Sequence, residues 1–188
     1  MSCAIIVHGS TGSGKTRACL ELVKRALAKG IPVGGILSVR VCQNEELIGY
    51  DGLDLESGNF FPLARLRTMV EGPNWFLFGS LIYAFSIPGF EHANSILTRS
   101  AETLSQSSII FVDEFGRLER AGLGMYPGAL TIAEKLRTGG VAVFACRTDI
   151  VDAVEALTGG KAQAISKFEP SELDALWRTV LRCIDHAD

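Results

Sequence analysis

The apolar positions of this chain fall into short runs and stripes whose period changes along the sequence. Cys3-Ala4-Ile5-Ile6-Val7, Ile109-Ile110-Phe111-Val112 and Val141-Ala142-Val143-Phe144-Ala145-Cys146 are unbroken apolar runs. Their length and lack of polar alternates predict strands covered on both faces, as in a parallel sheet. Between them the spacing becomes helical. Cys19, Leu20, Leu22, Val23, Ala26 and Leu27 recur at helical intervals until Gly30 stops them. Ala93, Ile96, Leu97, Ala101 and Leu104 mark a helix over 91–104, and another over 127–137 ends at Gly139-Gly140. A short helix follows to Leu157, with Thr148 or Asp149 as its cap. A last strand over 162–166 precedes a closing helix over 170–184, which buries Leu173, Leu176, Trp177, Val180, Leu181 and Ile184 and opens on Ser171-x-x-Asp174, a capping-box pattern.

The middle of the chain reads differently. A turn over 31–35 leads to a strand over 36–41, and Gln43-Asn44-Glu45-Glu46 turns into a loosely alternating stretch over 47–55. A further turn over 56–59 leads to a strand over 60–64. Turns this short cannot hold crossover helices, so these strands are antiparallel. They predict a β-meander over about 34–66 inserted in an otherwise parallel α/β domain, with 75–78 and 81–85 as further strands at the same edge.

Composition narrows the class. With 188 residues, 47% of them hydrophobic and 21% charged, the chain is expected to form a single globular domain over 1–188. A net charge of −3 argues against a nucleic-acid partner held by charge. Five cysteines, odd in number and without a C-x-x-C pair, suggest neither a zinc site nor a disulfide framework; Cys3, Cys19 and Cys146 read as small core residues. The apolar stretch over 75–87 is too short to span a bilayer, and the start lacks a leader pattern, so a cytoplasmic protein without a membrane partner is expected.

The candidate chemistry begins at Gly9-Ser10-Thr11-Gly12-Ser13-Gly14-Lys15-Thr16, which fits G-x-x-x-x-G-K-[ST]. Glycines let the backbone turn several N–H groups toward one anion, and the following helix adds its positive end. Lys15 would reach the β- and γ-phosphates and the Thr16 hydroxyl would ligate Mg²⁺. The motif lies between a strand and a helix, as a phosphate loop requires. Asp113-Glu114 ends the second apolar run, at the carboxyl edge where an open parallel sheet binds ligands. Asp113 is placed to hold Mg²⁺, and Glu114 to polarise an attacking water.

Phosphoanhydride hydrolysis also needs positive charge near the γ-phosphate. Arg40, Arg117 and Arg147 are the candidates, and Arg17 is the alternative just inside the first helix. His8 reads either as a phosphate neighbour or as a packed strand-end residue. The loop over 116–120, followed by Gly122 and Gly124, is expected to be mobile. Cys146-Arg147-Thr148-Asp149 is a helix cap rather than a guanine reader, since cysteine cannot replace the asparagine of Asn-Lys-x-Asp. Broad base tolerance follows.

Three blocks together resemble one family. They are the phosphate loop; Gly34-Gly35-Ile36 to Arg40 with Ile48-Gly49-Tyr50 and Asp54-Leu55-Glu56-Ser57-Gly58; and Asp113-Glu114-Phe115-Gly116-Arg117-Leu118-Glu119. The chain is similar to the small nucleoside-triphosphatase family that includes the human cancer-related enzyme. The resemblance implies a three-layer P-loop NTPase fold and slow, Mg²⁺-dependent hydrolysis of ATP, GTP and other nucleoside triphosphates. It adds Glu119 and Arg40 as site residues. Arg117 stands where that family usually has proline, and Lys167-Phe168-Glu169 where it often has Asn-Arg-Asp. Two other readings stay open: a small-molecule kinase, and a nucleotide-dependent switch acting on a protein partner.

Overall fold

The computed structural model describes residues 1–185. Nine strands form one sheet: β1 (Ser2–His8), β2 (Val33–Gln43), β3 (Glu46–Asp54), β4 (Phe60–Leu66), β5 (Trp75–Leu77), β6 (Tyr83–Ser86), β7 (Ile109–Phe115), β8 (Gly140–Cys146) and β9 (Ala164–Phe168). Their order is β5-β6-β4-β3-β2-β7-β8-β1-β9. From β2 to β9 the pairing is parallel; from β2 through β3, β4 and β6 to β5 it is antiparallel. Among the described residues six α-helices flank the sheet: α1 (Lys15–Ala28), α2 (Ile87–Thr103), α3 (Arg117–Arg120), α4 (Tyr126–Lys135), α5 (Val151–Thr158) and α6 (Leu173–Asp185).

The apolar runs without polar alternates have a simple cause. Successive side chains in a strand point to opposite faces. Ile5, Phe111 and Val143 pack with Leu22 of α1 and Val180 of α6. Their neighbours Ile6, Val112 and Phe144 pack with Ile96 of α2, Ile132 of α4 and Val154 of α5. Helices therefore cover both faces of the parallel strands, giving the three-layer α/β architecture with its antiparallel meander.

Several local expectations change. Gly34 and Gly35 belong to β2 rather than to a turn, because β2 must run beside β7 from Val33↔Ile109 onward. Gly35 has φ 92, and a Cβ there would strike the Phe111 backbone, so only glycine lets the strands approach. α2 starts earlier than its stripe predicts: Ser86 caps it by accepting from Gly89 N–H at 3.1 Å. α5 has no side-chain cap, since Asp149 instead accepts from Arg147 at 2.9 Å. The box at Ser171 and Asp174 does not form; Glu172 reaches back to the Glu169 N–H at 2.7 Å, and Asp174 pairs with Arg25 at 2.8 Å.

The cysteine reading is also corrected. Cys3 and Cys183 form a disulfide across 180 residues of sequence, with Cα atoms 6.2 Å apart. Both are buried, as core residues should be. Their pairing follows from α6 packing on β1, which no sequence spacing encodes. Among the described residues no helix is long and apolar enough to cross a membrane.

Candidate active site

The loop between β1 and α1 is held by its own backbone. Gly9 N–H donates to the Cys146 carbonyl at 3.3 Å, and Ser13 N–H to the Ser10 carbonyl at 3.2 Å. Gly12 and Gly14 have φ 80 and 96, left-handed values that side chains resist. Gly14 heads α1 without a side-chain cap, so the first N–H groups of the helix face the loop uncovered, as an anion site requires. Ser10, Thr11 and Ser13 are exposed around this cradle. Lys15 is 5% exposed, and its Nζ donates to the carbonyls of Gly9 at 3.3 Å and Ser10 at 3.0 Å.

β7 brings the acidic pair beside this loop. Asp113 is fully buried and accepts from Ser38 N–H at 3.1 Å and Glu114 N–H at 2.9 Å. The Thr16 side chain also bonds to Asp113, and its Oγ1 lies 3.4 Å from the Ser38 carbonyl. Burial, and then the charge of Glu114, push the Asp113 carboxyl up to about 7. Thr16 and Asp113 present hard oxygen donors of the kind Mg²⁺ takes, and Asp113's partners are N–H and hydroxyl groups rather than a cationic side chain. A divalent cation there would offset the cost of ionising a buried carboxylate, so these residues fit that metal.

Glu114 has φ 64, one of three non-glycine residues with positive φ among the described residues. The β7–β8 register shifts between Val112 and Phe115, so the Asp113-Glu114 step is a bulge. Glu114 is half-buried and lines a cleft of about 330 Å³ together with Thr11, Lys15 and Thr16. Arg17, Arg40 and Tyr50 line the same cleft. The arginines thus separate. Arg40 faces the phosphate-loop cleft, whereas Arg117 and Arg147 line a neighbouring cavity. Arg147 is also bound twice by Asp149, at 2.9 and 3.2 Å. His8 lines neither space, and its buried Nδ1 has no hydrogen-bond partner among the described residues. Cys146 is buried, and burial pushes its thiol up to about 12, which makes it a packing residue.

The segment after the acidic pair holds a short helix rather than an irregular loop. Glu119 is 2% exposed and accepts from Gly116 N–H at 2.8 Å and Met125 N–H at 3.0 Å, pinning α3 and the turn behind it. Burial pushes its carboxyl up to about 7. Tyr50 went unrecognised as a site residue in the sequence. Its membership of the distinctive Ile48-Gly49-Tyr50 block was the available signal, but its place on the same cleft as Lys15 depends on β3 folding back along β2.

Residues 4–180 match the family described as NTPase. The chain belongs to that NTPase family. It is similar to the nucleoside-triphosphatase THEP1 of Methanopyrus kandleri, with 28% identity over 115 residues, 61% of this chain and 58% of that protein. The chain thus matches somewhat over half the length of this curated relative. The solution structure of a human cancer-related nucleoside triphosphatase matches with a TM-score of 0.67 and 19% identity, over 100% of this chain and 98% of that one. The crystal structure of THEP1 from Aquifex aeolicus matches with a TM-score of 0.69 and 20% identity, over 97% and 99% of the two chains. These structural likenesses establish the shared fold of this NTPase family member.

Proposed function

We propose that the protein hydrolyses nucleoside triphosphates to the diphosphate and phosphate, with Mg²⁺ and little regard for the base. The observation that carries this reading is the single cleft that joins Lys15 and Thr16 of the phosphate loop to Glu114. Lys15 and the uncapped N-terminus of α1 bind the phosphates. Thr16 and Asp113 would hold Mg²⁺, which when bound neutralises charge on the β- and γ-phosphates. Glu114 accepts a proton from water as its oxygen attacks the γ-phosphorus and the bond to the bridging oxygen breaks. Arg40, on the same cleft, stabilises the charge that develops. Tolerance of the base is supported by the buried Cys146 at the position where a guanine reader needs asparagine.

The test is phosphate release from ATP, GTP, CTP and UTP, with Mg²⁺ or with EDTA. Comparable release from all four, abolished by EDTA and by Glu114→Gln while triphosphate binding persists, is the expected result. Full turnover in Glu114→Gln removes that residue from its role, and release from one base alone ends the claim of tolerance.

A further inference from the structure

Glu114 stands in the wall between two spaces. A second cavity, of about 320 Å³, shares Thr11, Tyr50 and Glu114 with the phosphate-loop cleft and extends away from it beneath the meander. Its wall is made of core side chains: Leu63 on β4, Phe85 on β6, Phe90 on α2, Leu118 on α3 and Met125. Ser38, Arg117, Glu119 and Arg147 are among the polar groups that line it. Tyr50 and Tyr83 meet edge to face with centroids 5.5 Å apart, and Glu114 completes the group. A space of this size, apolar with a few convergent polar groups, has the character of a site for an organic molecule. Water as acceptor gains nothing from an apolar wall, so the lining points to an organic occupant.

We propose that this cavity binds a second substrate, a largely apolar alcohol or phenol, and that the protein transfers the γ-phosphoryl group to its hydroxyl. The proposal rests on the nucleotide site described above and changes the acceptor. The lining is mostly apolar and so favours an apolar body, with Arg117, Arg147 and Glu119 as its charged members, and a hydroxyl can hydrogen-bond to the carboxylate at the shared wall. Glu114 takes the hydroxyl proton, the hydroxyl oxygen bonds to the γ-phosphorus, and the bond from that phosphorus to the β–γ bridging oxygen breaks. The products are the phosphate monoester and the nucleoside diphosphate. Filling the cavity also displaces water from the γ-phosphate, so hydrolysis is the slower reaction of the same site.

The experiment incubates the protein with Mg²⁺ and γ-³²P-ATP in the presence of 2-naphthol, 2-phenylethanol or geraniol, with glycerol as a polar control. Labelled monoester and free phosphate are measured together. The expected result is label on at least one apolar probe, at tenfold or more the yield on glycerol. Leu81→Arg and Leu47→Arg, each charging a half-buried position on the cavity wall, should lower the ratio of monoester to free phosphate at least tenfold. Two such variants guard against one that fails to fold. Phosphate release with no labelled alcohol, or with release merely stimulated, overturns the acceptor proposal and leaves the hydrolase reading standing. Absence of both products instead defeats the nucleotide reading beneath it.

Discussion

Glu114 holds φ 64, a left-handed conformation that costs a residue with a Cβ about 1–2 kcal/mol. That cost is tolerated at the residue proposed to move the proton, as strained backbone often is at functional sites. Glu114→Gly should therefore lose turnover and yet gain stability. The relief is offset by the entropy of glycine, about 0.5–1 kcal/mol, so a net gain of up to about 1.5 kcal/mol is expected in urea unfolding. A clear loss of stability would show that the bulge is not strained. Lys15→Ala should weaken triphosphate binding about 100-fold, since it removes a buried charge from the proposed phosphate site; titration calorimetry measures this. Glu119 makes a pH prediction. Burial raises its carboxyl from 4.5 to about 7, so the folded protein binds its proton more tightly than the unfolded chain does. Its contribution to stability is present below pH 4.5 and is lost as the pH rises through about 7. Glu119→Gln should flatten that part of the stability curve, and an unchanged slope in the variant would assign it to other groups.

At the scale of elements, β2 makes the sharpest test. Gly12 and Gly35 both have positive φ, but a Cβ on Gly12 meets nothing within 4 Å, while one on Gly35 collides with the Phe111 backbone of β7. Gly12→Ala should cost about 1 kcal/mol for conformation alone. Gly35→Ala should cost about 3 kcal/mol or more, because backbone cannot move aside without parting β2 from β7. Ser38, which donates its N–H to Asp113, lies three residues farther along β2. The same substitution should therefore weaken the proposed Mg²⁺ binding beyond what its stability loss explains, read as a rise in the Mg²⁺ concentration for half-maximal turnover. Equal stability effects for the two glycines would mean that the close approach is not needed.

For the whole molecule, the Cys3–Cys183 bond fastens α6 to β1, the strand that leads into the phosphate loop. In the chain-entropy view a crosslink closing so long a loop stabilises by about 5 kcal/mol. Cys183→Ser should lower the unfolding midpoint accordingly, with reductant producing the same shift in the parent protein. If reductant shifts the variant as much as the parent, this bond is not the cause. Two hydrophobic clusters, one on each face of the sheet, carry the remaining burial, and the cavity beneath the meander interrupts the one on the α2 face. Filling that cavity with a bound alcohol should raise the unfolding temperature of the protein, an effect expected from any ligand that binds only the folded state.

Some of this was written in the sequence, because it depends on neighbours along the chain. The glycine spacing of 9–16 and the apolar runs before Lys15 and Asp113 are local, so the parallel core, the phosphate loop and the acidic strand end were readable. The short turns of the meander were readable for the same reason. Sequence could not say that Cys3 would meet Cys183, that Asp149 would turn from capping α5 to hold Arg147, or that Arg40 and Arg147 would face different spaces. Nor could it show Tyr50 beside the loop, or a cavity assembled from β4, β6, α2 and α3. Those facts depend on which distant segments pack together, and a periodic pattern records only that a face is buried, not what lies against it.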